Sequence, residues 1–248
     1  MKDALKKPSL KSKVQKAKAK LASAYYGNPS KDMKIIAVTG MGGKGVVAHF
    51  IQEILRATDP RVGLVDTGGE KALTAGGLQR KLSKSWREGA NYVVVMAAAD
   101  AVKNQAFAGV PVHMVVMTDP LGNEVSQDTA DEYAVVKTEL FTPEPEYSVL
   151  NYDDPYFEFV AKYPTKKGSV AYGKDREADT WVSRSKAYKK GTEATLTQGN
   201  DSFDVATYVT GNEAAAYMAA AATAAALLGV EEDAIVDGIA SFEPNFKP

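Results

Sequence analysis

The chain has 248 residues, 45% of them hydrophobic and 25% charged, with 30 Lys plus Arg set against 31 Asp plus Glu. That balance suits a folded globular chain and speaks against a strongly basic nucleic-acid binder or an acidic disordered tail. With no cysteine and only His49 and His113, the sequence excludes disulfides, thiolate metal sites, a Cys nucleophile and a His-rich metal centre.

The start, MKDALKKPSLKSKVQKAKAK, carries eight lysines and a single Asp3. It has no apolar region behind it and no bilayer-length apolar run follows, so the expected location is the cytoplasm. Ala and Lys favour helix here, and Leu10, Val14, Ala17 and Leu21 recur at spacings of three and four as one thin apolar stripe. Two readings stand side by side. One is a solvated leading helix; the other is an amphipathic arm, residues 1–24, that docks on anionic lipid or an acidic partner. Turn chemistry at Gly27, Asn28 and Pro29 closes the segment. The expected division is a basic helical segment over 1–32 and an α/β domain over 33–248.

From Lys34 the pattern changes. Lys34 to Gly40 is a short β-branched run closed by glycine, which reads as a buried strand. Gly45 to Ala57 reads as a helix with Val46, Val47, Phe50, Ile51, Ile54 and Leu55 to one side. Strands are expected over Arg61–Thr67, Tyr92–Met96, Val112–Met117 and Ser148–Asn151, with helices over Leu78–Arg87 and Asp128–Leu140. Met96, Met114 and Met117 fit core filling. Beyond Asn151 the pattern is less regular. Short strands are expected at Ser169–Tyr172, Asp179–Ser183, Thr195–Gln198 and Phe203–Tyr208, then an alanine-rich helix, Glu213–Leu228, and a second over Glu231–Ala240. Alternating strands and helices predict an α/β fold with a mostly parallel sheet covered on both faces, an N-terminal helix and a smaller strand-rich subregion.

The chemistry has one evident seat. Gly40, Met41, Gly42, Gly43, Lys44 and Gly45 join the first strand to its helix, where backbone N–H groups and the helix N-terminus can cradle a phosphate and Lys adds a point charge. Phosphate loops that hold Mg²⁺ carry Ser or Thr directly after the Lys, and here that position is Gly45. A ligand-free glycine turn has the same sequence signature.

The segment Tyr25 to Ser30 followed by Met33 to Gly40 resembles the opening of the central domain of Mur ligases, most of all the UDP-N-acetylmuramyl-tripeptide synthetase branch, including short homologues from reduced-genome bacteria. The resemblance continues in order through Tyr92–Met96, His113–Thr118, Tyr133–Lys137, Val149–Asp154 and Leu227–Gly229, and covers about residues 25 to 243. It implies a P-loop-type α/β domain and an enzyme that joins an amino acid to a UDP-linked muramyl peptide, using ATP through an acyl phosphate. It places Gly40, Gly43 and Lys44 in the phosphate loop, Lys137 on a lysine that relatives carbamylate to hold a second Mg²⁺, and Asn151 and Asp154 beside the nucleotide. Asn212 matches an adenine-contacting Asn on looser spacing.

The departures from the family pattern are as informative. The Mg²⁺-binding Glu falls on Met96, the following Ser-Ser pair on Ala98 and Ala99, the substrate-holding Gln and Arg near Asn104 and Ala106, and the Asp-His pair near Asn123 and Glu124. The amino-acid-binding C-terminal domain of the family is expected to be absent. Losing metal ligands removes charge stabilisation from phosphoryl transfer. The resulting expectation is a degenerate member that binds ATP weakly, with Mg²⁺ short of its usual ligands, or that serves as a partner in cell-wall precursor synthesis. The alternatives are a ligase completed by a partner chain and an interaction protein docking through its basic helix. Asp100, Asp119 and Glu124 are candidates for a relocated acidic site, against the plainer reading of solvated surface carboxylates.

Overall fold

A computed structural model describes residues 10–69, 73–118 and 136–244. The helix expected over Asp128–Leu140 falls largely outside them; its end is seen as a helical turn at 136–138 that tightens into a 3₁₀ turn at Glu139–Phe141.

The sheet explains itself from the alternation of its strands. In β1 (Lys34–Thr39), Ile36 and Val38 join one apolar cluster while Ile35 and Ala37 join a second, because successive side chains point to opposite faces. The same split runs through β3 (Tyr92–Met96), where Val94 faces one way and Val93 and Val95 the other, and through β4 (Met114–Met117) and β5 (Tyr147–Asn151). Strands buried on both faces need helices on both. The first face is covered by α2 (Lys44–Thr58) and, further along the chain, by α6 (Ala214–Leu227) and α7 (Glu232–Ser241). The second is covered by α3 (Ala75–Arg87) and the short α4 (Ala99–Lys103) and α5 (Phe157–Val160).

With β2 (Val62–Asp66), the strand order is β2-β3-β1-β4-β5 followed by β6 (Gly168–Gly173), β7 (Thr180–Tyr188), β8 (Gly191–Gln198) and β9 (Asp201–Thr207). Pairing is parallel from β2 through β6, and β6 meets β7 in parallel over only two residue pairs. The β7-β8-β9 part is antiparallel. The strand-rich subregion expected after Asn151 thus continues the main sheet. Its strands are longer than expected: β7 runs on to Tyr188 because its outer half is exposed on both faces and carries no apolar alternation to read.

Two small-residue features set the helix layer. The alanines of α6 let the helix lie buried nearly all round. Gly238 of α7 crosses α2 so closely that an added Cβ would stand 2.4 Å from Ile54 Cα. On the far side, α1 (Leu10–Tyr25) packs on α3, with Ala19 and Ser23 buried and Gly76 of α3 facing Ala22.

One polar side chain in this layer is out of balance. Gln79 of α3 is fully buried, and neither its Oε1 nor its Nε2 has a hydrogen-bond partner among the described residues. An unpaired buried amide costs about 1–3 kcal/mol, and Met has nearly its shape. Gln79→Met is therefore expected to raise stability by about 1–2 kcal/mol in urea unfolding; an unchanged or lowered midpoint contradicts the assignment.

Candidate functional site: the glycine loop and its supports

The C-terminal ends of the parallel strands are tied together by threonine hydroxyls. The Thr39 hydroxyl at the end of β1 donates to Ala97 O at 3.1 Å, next to β3. Thr67, after β2, donates to Met96 O at 2.7 Å and accepts from Ala98 N–H at 2.9 Å. Thr118, after β4, is directed at Gly42 O (2.6 Å) and Thr39 O (3.2 Å), which fixes the glycine loop against the sheet. Each hydroxyl adds a side-chain bond to a carbonyl at or just beyond the strand ends.

On this platform Gly40, Met41, Gly42 and Gly43 form the loop, and α2 starts at Lys44. Gly43 is the N-cap with φ 69°, a left-handed conformation, and no side chain caps the helix. The first-turn N–H groups of α2, including those of Lys44 and Gly45, have no intrahelical acceptor. With the helix dipole they make an anion-seeking end. Lys44 is half-buried beside them and has no carboxylate partner among the described residues.

Lys137 lies beneath the loop, fully buried. Its ammonium donates to Thr39 Oγ1 and to Ala97 O, the latter at 3.2 Å, so it bridges the ends of β1 and β3. Burial, and after it the positive charge of Lys44, lower its pKa to about 7. The glycine loop thus has two amines close by and no described acid.

Gly40, Gly42, Gly43, Lys44, Gly45 and Lys137 are therefore brought together. Asn151 is linked to them through one residue, donating from Nδ2 to Thr118 O at 3.0 Å while its Oδ1 accepts from Asp153 N–H. Asp154 accepts from Tyr156 N–H at 2.7 Å and shapes the turn into α5. Asn212 stands in an exposed turn just before α6.

The α6 residue that meets the loop is Tyr217. A Cβ added to Gly43 would fall 2.1 Å from Tyr217 Cε1, and one added to Gly42 would be 3.5 Å from its hydroxyl. Sequence reasoning missed both Tyr217 and Thr118. The only available signal for Thr118 was a threonine closing each of three β-branched runs.

The donor set among the described residues does not fit Mg²⁺. The positions where the resemblance implies a Mg²⁺-binding hydroxyl and carboxylate face each other, but they are Gly45 and Met96, with the Met96 Sδ 3.9 Å from an added Gly45 Cβ. A thioether is a poor ligand for a hard cation that demands oxygen. The hydroxyls of Thr39 and Thr118 are engaged with the backbone. Among the described residues no group of three or more His, Asp or Glu could hold a metal. Asp100 is exposed on α4, and Asp119 and Glu124 lie outside the described residues.

Comparison with known proteins settles the lineage. The model of the Mur ligase middle domain matches residues 38–226. The chain belongs to that family. A UDP-N-acetylmuramoyl-L-alanyl-D-glutamate--2,6-diaminopimelate ligase of Geobacillus kaustophilus is 27% identical over 255 residues, covering 95% of this chain and 52% of its own length. The ligase of the same name from Alkalilimnicola ehrlichii is 32% identical over 150 residues, 55% of this chain and 30% of its own. The chain spans about half the length of the curated relatives it matches over most of its own length. A solved diaminopimelate ligase of the same kind superposes with TM-score 0.76 at 20% identity, over 92% of this chain and 51% of its own. MurF ligase from Thermotoga maritima, solved with ADP, gives 0.68 at 19% identity over 93% and 52%. At those identities the structures show the fold, and this Mur ligase domain shares it.

Proposed function

We propose that this Mur ligase-type domain binds a nucleoside triphosphate by its phosphates, without a divalent metal, and does not by itself complete the amide-forming reaction for which its relatives are named. The observation that carries the reading is the pairing of an intact anion cradle with missing metal chemistry. Gly43 in its left-handed turn, the uncapped start of α2, Lys44 and the amine of Lys137 all favour phosphate. The facing pair Gly45 and Met96 offers no oxygen where the family holds its metal.

Each residue has a stated part. Lys44 supplies the charge, while Thr118 and Asn151 hold the loop in shape. Lys137 takes up a proton as phosphate arrives, which turns a near-neutral amine into a second cation. Asp154 sets the turn that places Asn151, and Asn212 lies where α6 could admit a base. Without a metal between the β- and γ-phosphates, the largest charge-stabilising contribution to phosphoryl transfer is absent.

Calorimetric titration of ATP into wild type and Lys44→Ala tests the reading. A phosphate-lysine contact contributes about 1.5–3 kcal/mol, so the variant is expected to bind at least about ten-fold more weakly. Equal affinity of the two proteins, or no heat with wild type at millimolar ATP, sinks the proposal.

A further inference from the structure

The outer face of α1 and the neighbouring stripe of α3 form a surface that the other described residues leave uncovered. Val14, Leu21 and Tyr25 are 47%, 71% and 83% exposed. Spaced by seven and four residues, they lie along one face of α1, with exposed Lys18 between them. The opposite face, Ala19 and Ser23, is the one packed against the protein. At the end of the helix the ring of Tyr25 meets Tyr26 edge-on, centroids 5.1 Å apart.

Tyr26 in turn lines an open groove of about 370 Å³ together with Arg80, Ser83, Lys84, Arg87 and Glu88. Arg80, Lys84 and Arg87 stand at i, i+4 and i+7, so three cations share one stripe. Like charges at that spacing weaken a helix. Only Glu88 answers them, 3.9 Å from Lys84, and neither arginine has a carboxylate partner among the described residues. An exposed apolar row and a cationic row with one described carboxylate beside it therefore adjoin through two tyrosines.

We infer that this α1–α3 face docks the protein peripherally on an anionic lipid surface. Lipid satisfies both rows at once: aromatic and aliphatic side chains sink to the headgroup boundary while lysine and arginine meet the phosphates. The form of the surface favours lipid over a folded acidic partner. Val14, Leu21 and Tyr25 stand out singly from a convex helix, whereas a protein interface would need a matching set of pockets for them. Lys18 and Lys20, exposed on α1, add to the same charge. No helix among the described residues is long and apolar enough to cross a membrane, so the association lies at the surface.

Co-sedimentation of the full chain with vesicles tests this, using phosphatidylcholine containing about 30% phosphatidylglycerol against phosphatidylcholine alone. Binding is expected to the anionic vesicles only and to be released by 0.5 M salt. Neutralising Arg80, Lys84 and Arg87 together, each to Gln, is expected to lower partitioning about 100-fold, at about five-fold per cation. Leu21→Ser with Tyr25→Ser, both at exposed positions, is expected to lower it about ten-fold or more. Absence of binding to anionic vesicles, equal binding to neutral ones, or full retention by either variant overturns the inference and returns the surface to a protein partner. Should a variant misfold by circular dichroism, the wild-type lipid and salt dependence still decides.

Discussion

Gly43→Ala is expected to destabilise the protein by about 2–5 kcal/mol and to weaken phosphate binding with it. Two costs combine. The left-handed conformation, φ 69°, costs a residue with a Cβ about 1–2 kcal/mol. The new methyl would also stand 2.1 Å from Tyr217 Cε1 and 2.3 Å from Cζ, which no side chain tolerates, so the ring or the loop must move. Overpacking of that kind costs about 1–3 kcal/mol. If the loop moves, the N–H groups at the start of α2 lose their common aim. Removing the ring first separates the two costs. In a Tyr217→Ala background, Gly43→Ala should cost only its backbone share, about 1–2 kcal/mol, leaving a coupling energy that urea unfolding of the four proteins would resolve. Strictly additive effects would mean that Tyr217 does not rest on the loop.

A buried amine makes the second large effect a matter of pH. Lys137 titrates near 7 in the folded protein and near its ordinary value of 10.5 when unfolded. Between those values the unfolded chain holds one proton more, so stability rises with pH by about 1.4 kcal/mol per unit. The folded protein is worst off below pH 7, where it must bury the charge, and is relieved of that cost above 10.5. Over pH 7 to 9 wild type should therefore gain about 2–3 kcal/mol relative to Lys137→Met, whose uncharged side chain removes this slope. Denaturant unfolding of both proteins across the window measures the difference. A constant difference contradicts the burial of a titrating amine beneath the loop. The same shift links binding to protons: if phosphate raises the pKa of Lys137, ATP binding near neutral pH should draw protons from the buffer.

Much of this architecture was legible in the residues. The β-branched runs at Lys34–Gly40, Tyr92–Met96 and Val112–Met117 announce buried strands, and the structure places them side by side within the parallel part of the sheet. The glycine loop was equally readable, because Gly43 has to occupy a conformation that other residues resist. What escaped notice depends on tertiary placement. Thr118 and Tyr217 look like any strand-end threonine and any aromatic in an alanine-rich helix until the fold carries them to Gly42 and Gly43. The outer half of β7 has no apolar alternation because neither of its faces is covered. Lys137 could be singled out only through family resemblance, since lysine is ordinarily a surface residue and nothing in its neighbourhood of the sequence announces complete burial.

The pair Gly45 and Met96 carries the central claim, that this Mur ligase domain keeps the phosphate cradle and has parted from the metal. Calorimetric titration of ATP into the full chain, once in excess Mg²⁺ and once in EDTA, measures that most directly. The account predicts affinities within about three-fold of each other, because no protein oxygen in the described site rewards the metal. Binding that tightens ten-fold or more in Mg²⁺ would contradict it and would mean that the protein holds the metal with ligands other than those at the glycine loop.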